Sequence, residues 1–242
     1  MIVDGHLRFG DDIAVTNIDE ILCQMDARGL ARAVLGPVGR WAAVDNHEGN
    51  TAVADAARRH PDRLTGFASV NPWYGRRAEQ ELRRALADGL VGLKLVPAQQ
   101  GVPLLSPLLD GVLQVVAERG LPVYVVTGVP VMSEPLQVAE LARRWPTVPF
   151  VLGRSGRTDF ALDLLPALTN APNLIAETAH NGAGDIARIV AAIGADRVMF
   201  GSDWPANDLG LELDRIARVP LSTSQRAAVL GGTALRLCGG PT

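Results

Sequence analysis

Aromatic residues and cysteines are both scarce in this chain of 242 residues. Aromatic side chains make up 5% of the sequence and hydrophobic residues 48%, so the core must be built mainly from Ala, Val, Leu and Ile. That composition suits parallel strands that are buried on both faces. The two cysteines, Cys23 and Cys238, lie far apart, and we expect both to be buried, reduced thiols inside helices.

Long apolar runs, long basic runs and a secretion signal are also missing. No stretch reaches the roughly 18 apolar residues that span a bilayer, and no basic segment precedes an apolar one at the N-terminus. The formal net charge is −3 and the 23 basic residues are dispersed. This charge removes the electrostatic case for binding nucleic acid or an anionic membrane. The sequence therefore predicts a cytoplasmic protein whose partner is a small molecule.

Short apolar runs alternate with longer amphipathic runs along the whole chain, which indicates strands alternating with helices. The predicted strands are residues 2–4, 31–35, 64–70, 92–96, 123–126, 150–152, 174–177 and 198–200. The predicted helices are residues 18–28, 51–59, 76–87, 108–119, 134–144, 160–168, 185–193, 211–217 and 222–237. In the last helix, the Gly231-Gly232 pair should produce a weak point or a kink.

Eight strand–helix units in strict alternation imply a parallel sheet. The length is close to the ~250 residues typical of one α/β barrel. We therefore predict a single (β/α)8 TIM barrel that forms one domain over residues 1–242. The alternative is an open doubly wound sheet, which is disfavoured because no Gly-rich dinucleotide fingerprint follows the first strand.

Polar side chains stand where the predicted strands end, which is where the chemistry of such a barrel takes place. They are His6, Arg8, Asn71, Lys94, Thr127, Arg154, Arg157, Glu177, Thr178, His180, Ser202 and Asp203. Several cations, imidazoles and carboxylates converging on one rim are more polarity than packing requires.

Several blocks of sequence resemble one known barrel family. Residues 200–205, FGSDWP, are similar to the final-strand motif of the amidohydrolase-related proteins, a branch of the metal-dependent hydrolase superfamily that includes aminocarboxymuconate-semialdehyde decarboxylase-like enzymes. Residues 59–63, 66–72, 92–95, 120–123 and 172–174 fit the family in the same order, so the resemblance covers essentially the whole chain. It implies a hydrolase or carboxy-lyase with a divalent metal at the barrel mouth.

The metal site that the resemblance implies is degenerate in this sequence. The family would place two His on strand one, one His at the ends of strands five and six, and an Asp after strand eight. His6 and Asp203 match, but Arg8 and Arg154 replace two of the histidines, and strand five ends at Val126 without one. A guanidinium has no lone pair to offer a cation. We expect no cofactor; the alternative is one weakly bound divalent ion such as zinc.

The predicted site is therefore a metal-free pocket for a small anionic substrate. Asp203 and His6 are the candidate catalytic acid and base. The candidate substrate-binding residues are Arg8, Lys94, Arg154, Glu177, His180 and Trp204. Arginine forks match carboxylates, and fixed cations stabilise an oxyanion. The alternative metal site would combine Glu177 and His180 with His6 and Asp203.

Two functions from different classes stay open. The first is a hydrolase or decarboxylase acting on a small carboxylated or cyclic substrate, which requires a concave pocket lined with cations. The second is a catalytically inactive relative that serves as a binding or assembly module, in which Arg–Asp pairs fill the barrel mouth. Because the chain is short for the family, a homodimer in which a second subunit supplies a lid is a further expectation.

Overall fold

The computed structural model describes residues 1–10, 17–157 and 162–239. Within these ranges lie nine strands, which we number in chain order. They are β1 Ile2–Phe9, β2 Leu30–Pro37, β3 Leu64–Gly66, β4 Ala68–Ser69, β5 Leu93–Leu95, β6 Val123–Val126, β7 Phe150–Gly153, β8 Leu174–Glu177 and β9 Val198–Met199. All the paired strands are parallel, as the alternating pattern predicts.

The strands close into a barrel. Ladder pairing divides them into the sheets β1-β2-β3 and β4-β5-β6-β7-β8-β9. Backbone hydrogen bonds join the two sheets on both sides: Phe67 N–H donates to Leu35 O at 2.9 Å, and Gly5 N–H donates to Phe200 O at 2.8 Å. The strands β3 and β4 are one predicted strand interrupted at Phe67. The (β/α)8 barrel is thus confirmed, and the open sheet is wrong.

Helices follow the strands around the outside. They are α1 Ile18–Arg28, α2 Arg40–Ala43, α3 Asn46–Arg59, α4 Arg76–Ala87, α5 Pro97–Gln100, α6 Asp110–Ala117, α7 Pro135–Arg144, α8 Leu164–Asn170, α9 Ala183–Ile193, α10 Leu209–Ala217, α11 Thr223–Ala227 and α12 Thr233–Cys238. Explicit signals end some of them: the Asn17 side chain caps α1 by accepting from Glu20 N–H, and Gly29 ends it at φ 69°.

The predicted boundaries differ from the structure at several places. The helix predicted at 51–59 already begins at Asn46, and a 3₁₀ turn at Pro107–Leu109 replaces the start of the one predicted at 108–119. Part of the helix predicted at 160–168 lies outside the described residues. The helix predicted at 222–237 widens into a π-turn at Ala228–Gly232, which confirms the weak point at the glycine pair. There, a Cβ on Gly231 would lie 2.7 Å from the Met1 carbonyl oxygen, so the close approach needs glycine.

Two apolar layers form the core. The larger one lies between strands and helices, and the smaller one fills the lower barrel interior around Phe67, Tyr124 and Met199. Helix α12 closes the amino-terminal end of the barrel, where Cys238 is buried as predicted. The expectation that Cys23 is buried is wrong: Ile21 and Met25 occupy the inner face of α1, and Cys23 is exposed. Among the described residues, no helix has the length and apolar character needed to cross a bilayer.

The interior layer above this apolar core contains titratable side chains, and glycines on the strands make room for them. A Cβ on Gly153 would lie 2.5 Å from the Tyr124 hydroxyl oxygen, and one on Gly201 would lie 2.0 Å from Glu177 Oε1. Barrel layers are usually filled with branched apolar residues. At this height the interior therefore changes from packed core to polar site.

We expect G201A to destabilise the protein by about 1–3 kcal/mol, because the added methyl group overlaps the Glu177 carboxyl. G184A is the matched control: Gly184 lies in α9 with nothing within 4 Å of its Cβ position. Replacing this glycine should raise stability by up to about 1 kcal/mol. Urea unfolding of both variants measures the difference, and equal effects would contradict the crowding at Gly201.

Candidate active site

An irregularity in β1 turns His6 into the barrel. The register between β1 and β2 shifts between Asp4 and Leu7, as at a β-bulge, which re-aims side chains. The His6 ring stacks on Tyr124 with centroids 4.3 Å apart and an interplanar angle of 13°. Opposite it, a Cβ on Gly36 would lie 2.6 Å from His6 Nε2, so this strand position must be glycine.

Asp203 lies just beyond β9 at the centre of the site. Its Oδ2 accepts hydrogen bonds from Arg154 Nε at 3.0 Å and Nη2 at 2.8 Å, and lies 3.1 Å from His180 Nε2. Its Oδ1 lies 3.6 Å from His6 Nδ1. We call His6, Arg154, His180 and Asp203 the Asp203 cluster. It brings together side chains from the ends of four different strands, as the strand-end rule predicts.

Opposite charges keep the Asp203 carboxylate ionised. Burial by itself would raise its pKa, but the hydrogen bond from His180 and the charges of the surrounding basic groups, Arg154 among them, lower the pKa overall. A buried carboxylate of this kind is a fixed negative charge, which attracts and orients the groups around it.

Three members of the cluster have left-handed backbone conformations. The φ angles are 64° for Arg154, 65° for His180 and 56° for Asp203. Such conformations cost about 1–3 kcal/mol each in non-glycine residues and gather at functional sites. Only five non-glycine residues in the described part of the chain have positive φ, and two of these three, Arg154 and His180, contact the third, Asp203. The strain is thus concentrated on one group of polar side chains.

Two further predicted cations lie beside the cluster. Lys94, on β5, is 1% exposed, and its Nζ lies 3.0 Å from the Cβ position of Gly36, next to His6. Arg8 follows His6 on β1 and its N–H donates to Trp204 O at 2.9 Å. Burial lowers the pKa of His6, and the charge of Lys94 lowers it further, so the imidazole is neutral. Within the described residues neither ring nitrogen has a hydrogen-bond partner.

Glu177 lies beneath the cluster and is fully buried. Its Oε2 accepts from Arg154 N–H at 2.5 Å and faces the Tyr124 hydroxyl at 3.5 Å, while Oε1 accepts from Ala179 N–H at 3.1 Å. Burial is the main cause that raises its pKa to about 8, so the carboxyl is mostly protonated at neutral pH. Trp204 is 8% exposed and packs in the apolar core. For both residues, the substrate-binding role stays a prediction.

Three residues of the site were not among the sequence candidates. Asp4 Oδ1 accepts from His6 N–H at 3.0 Å and Ser202 N–H at 3.1 Å, and burial raises the pKa of Asp4 to about 7. The sequence feature that could have identified Asp4 is a lone carboxylate in an apolar first strand. Tyr124 had the same kind of signal, a polar group inside a buried strand. Glu212, which accepts from His180 N–H at 3.1 Å, had none, because it lies on an ordinary amphipathic helix.

The described residues do not fit the divalent metal that the family resemblance implies. No group of three or more His, Cys, Asp or Glu side chains in this part of the chain is arranged to hold a metal ion. Two basic side chains already share one oxygen of Asp203, and Lys94 lies next to His6. Guanidinium and ammonium groups cannot ligate a cation, and their charge repels one.

Comparison with known proteins gives one family and one fold. The family model described as Amidohydrolase matches residues 4–239, whereas no curated protein sequence matches the chain. The 2,6-dihydroxybenzoate decarboxylase from Rhizobium superposes with a TM-score of 0.81 at 17% identity, over 98% of both chains. The 5-carboxyvanillate decarboxylase from Sphingomonas paucimobilis gives a TM-score of 0.79 at 17% identity, over 93% of this chain and 84% of that one.

A third structure holds a metal. The dihydroxybenzoic acid decarboxylase from a Polaromonas species, with bound manganese and the inhibitor 2-nitroresorcinol, gives a TM-score of 0.76 at 16% identity, over 98% of this chain and 96% of that one. At identities this low, the likeness to the three structures shows a shared barrel fold.

We expect E177Q to gain stability relative to the wild type as the pH rises from about 5 to about 8. Folding raises the pKa of Glu177 from 4.5 to about 8, so between these values the folded state retains a proton that the unfolded chain releases. The contribution of this carboxyl is therefore present below about pH 4.5 and lost as the pH approaches 8. Glutamine does not ionise and lacks this loss. Urea unfolding at several pH values measures the difference.

The control variant is E118Q. Glu118 is exposed and its pKa is lowered by the hydrogen bond from Arg83, so it stays ionised throughout this pH range. Its difference from the wild type should be flat. A flat difference for E177Q as well would show that Glu177 is already ionised in the folded protein.

Proposed function

The chain belongs to the amidohydrolase family, and from that premise we propose that it is a metal-independent decarboxylase of small aromatic or cyclic carboxylates. The observation that carries the proposal is the Asp203 cluster, in which a guanidinium and an imidazole meet on one buried carboxylate and all three residues have strained backbones. Structural relatives named as decarboxylases of aromatic carboxylates support the substrate class.

The outer edge of the cluster suits an anion. The side chains of Arg154 and His180 are 24% and 32% exposed, whereas that of Asp203 is 2% exposed. Asp203 uses two of the five N–H groups of Arg154, which leaves three to donate to a second acceptor. Arginine binds carboxylates through paired hydrogen bonds. The positive charges of Arg8 and Lys94 nearby further favour a negatively charged substrate.

Decarboxylation requires a proton where the carboxylate leaves. A proton is added to the ring carbon that bears the carboxylate, the bond from that carbon to the carboxyl carbon breaks, and its electron pair returns to the ring as CO₂ departs. His180 is the proton donor in this scheme, because its side chain is accessible and lies 3.1 Å from the Asp203 carboxylate. It recovers its proton from solvent.

Asp203 and His6 are the residues expected as acid and base, and their protonation states determine the roles that we propose for them. Asp203, whose pKa is lowered, is a poor proton donor and instead orients His180. His6 is neutral and 1% exposed, and its ring nitrogens, which have no partner within the described residues, can hydrogen-bond a polar substituent of a substrate that reaches them. In the hydrolysis of a cyclic ester, a neutral His180 would take a proton from water while the water oxygen attacks the ester carbon. The ring C–O bond would then break, and the departing oxygen would receive the proton from His180.

A second candidate is a catalytically inactive binding module. In such a module, Arg–Asp pairs are expected to fill the barrel mouth, and Arg154 and Asp203 form an ion pair of this kind. Buried ion pairs also occur for purely structural reasons. The partial exposure of Arg154, and the three of its N–H groups that have no acceptor within the described residues, favour the enzyme over this alternative.

We expect the wild type to release CO₂ from hydroxybenzoates such as 2,6-dihydroxybenzoate, and R154Q to lower kcat/KM by about 100-fold. A buried charged hydrogen bond to the reacting anion is worth roughly that factor. H180N should reduce kcat with less effect on KM. R157Q is the control, because Arg157 forms an exposed ion pair with Asp185. Benzoate binding without turnover would support the inactive module, and unaltered kinetics in R154Q would contradict the proposal.

We expect activity and the thermal midpoint to be unchanged by EDTA or by added zinc or manganese. The Asp203 oxygen that a metal would need already accepts from Arg154 and lies at hydrogen-bond distance from His180. Elemental analysis of protein purified without chelator should find much less than one equivalent. A stoichiometric metal, lost together with stability in EDTA, would instead indicate a site built from His6, Glu177, His180 and Asp203.

A further inference from the structure

We infer that Glu177 and Glu212 are positioning residues that hold the main chain of Arg154 and His180 so that both side chains reach Asp203. The inference rests on the proposed function, because its consequence is a limit on the shape of the carboxylate that the site accepts. Neither glutamate faces the outer edge of the cluster, since both are fully buried. Each acts through the backbone N–H of one strained residue.

Glu177 holds Arg154. The bond from Arg154 N–H to Glu177 Oε2 is 2.5 Å long and joins the end of β7 to β8. Next to it, Ser155 Oγ donates to Glu177 O at 2.7 Å and accepts from Glu177 N–H at 3.0 Å. Arg154 and Ser155 have φ angles of 64° and 46°. The left-handed turn that aims the guanidinium at Asp203 is thus tied to one residue of the neighbouring strand.

Glu212 holds His180 in the same way from another element. It lies in the first turn of α10, yet it is 0% exposed, and its Oε1 accepts from His180 N–H at 3.1 Å. Asn207 Nδ2 and Arg215 Nη1 donate to the same oxygen and hold the carboxylate in place. His180 has a φ angle of 65°, so this bond also restrains a left-handed residue.

The two glutamates together set the spacing of guanidinium and imidazole. Both groups converge on one atom, Asp203 Oδ2, although they come from different strand ends. If either backbone relaxed towards an ordinary conformation, its side chain would withdraw from Asp203. The distance between the anion-binding group and the proton donor therefore depends on two buried glutamate side chains that act through the main chain.

Substitution by glutamine should have different effects at Glu177 and at Glu212. Within the described residues, the hydrogen bonds to the Glu212 side chain all involve Oε1, so the single carbonyl oxygen of glutamine can accept them. Glu177 accepts through both oxygens, from Arg154 N–H and Ala179 N–H, so glutamine must lose one of these bonds. If the two glutamates only filled space, E177Q and E212Q would not differ in this way.

The experiment combines ¹⁵N NMR of the His180 ring with calorimetric binding of benzoate. D203N provides the ring signal of His180 without its carboxylate partner. We expect E212A to shift the ring signal towards that of D203N and to weaken benzoate binding by about tenfold, the effect of one lost hydrogen bond near an ionic contact. E212Q should match the wild type, and E177Q should weaken benzoate binding while leaving the ring signal closer to the wild type.

E81Q is the control, because Glu81 is a partly buried glutamate that bonds to Arg84 and Asn50 between α3 and α4.

A folded E212A with the ring signal and affinity of the wild type would overturn the inference. If E212A does not fold, E177Q and E212Q decide, and equal benzoate affinities in these two variants would overturn it. If the wild type does not bind benzoate but E212A shifts the ring signal, the positioning role stands and the proposed substrate class fails.

Discussion

A single buried negative charge organises the upper half of this barrel. The Asp203 carboxylate is almost fully removed from water, and an ionised carboxylate in that position needs compensating partners. Arg154 and His180 supply them from neighbouring strand ends, at the cost of left-handed conformations in all three residues. The backbone of Asp203 is tied in as well, since its N–H donates to His6 O at 3.2 Å and helps to join the last strand to the first.

The polar layer below Asp203 depends on space that glycines provide. Gly36, Gly153 and Gly201 stand opposite His6, Tyr124 and Glu177, and any larger residue would collide with these side chains. Burying Asp4 and Glu177 is tolerable because both have raised pKa values and accept hydrogen bonds from backbone N–H groups. Packing alone would be better satisfied by Val, Leu and Ile, so this layer is explained by the site that it supports.

The chain shares its barrel fold with decarboxylases, one of which holds manganese, and that fold does not decide its chemistry. A barrel accommodates many reactions because its chemistry depends on side chains at the strand ends, not on the frame. Two strand-end residues of this chain, Arg8 and Arg154, carry positive charge on side chains that cannot ligate a metal. Under the proposed function, guanidinium groups provide the fixed positive charge that a cation would otherwise bring to an anionic substrate.

The alternation of apolar runs determined the barrel, and the strand-end rule determined which side chains could meet. His6, Arg154, His180 and Asp203 are all identifiable from the sequence by that rule. Such patterns are local, because they record only which face of a strand or helix is buried. Tertiary structure alone decided that a bulge turns His6 inward, that Glu177 lies beneath the cluster, and that Glu212 reaches it from α10. Arg154 and Asp203 are 49 residues apart in sequence, and only the closure of the barrel, which no local periodicity encodes, brings their charges into contact.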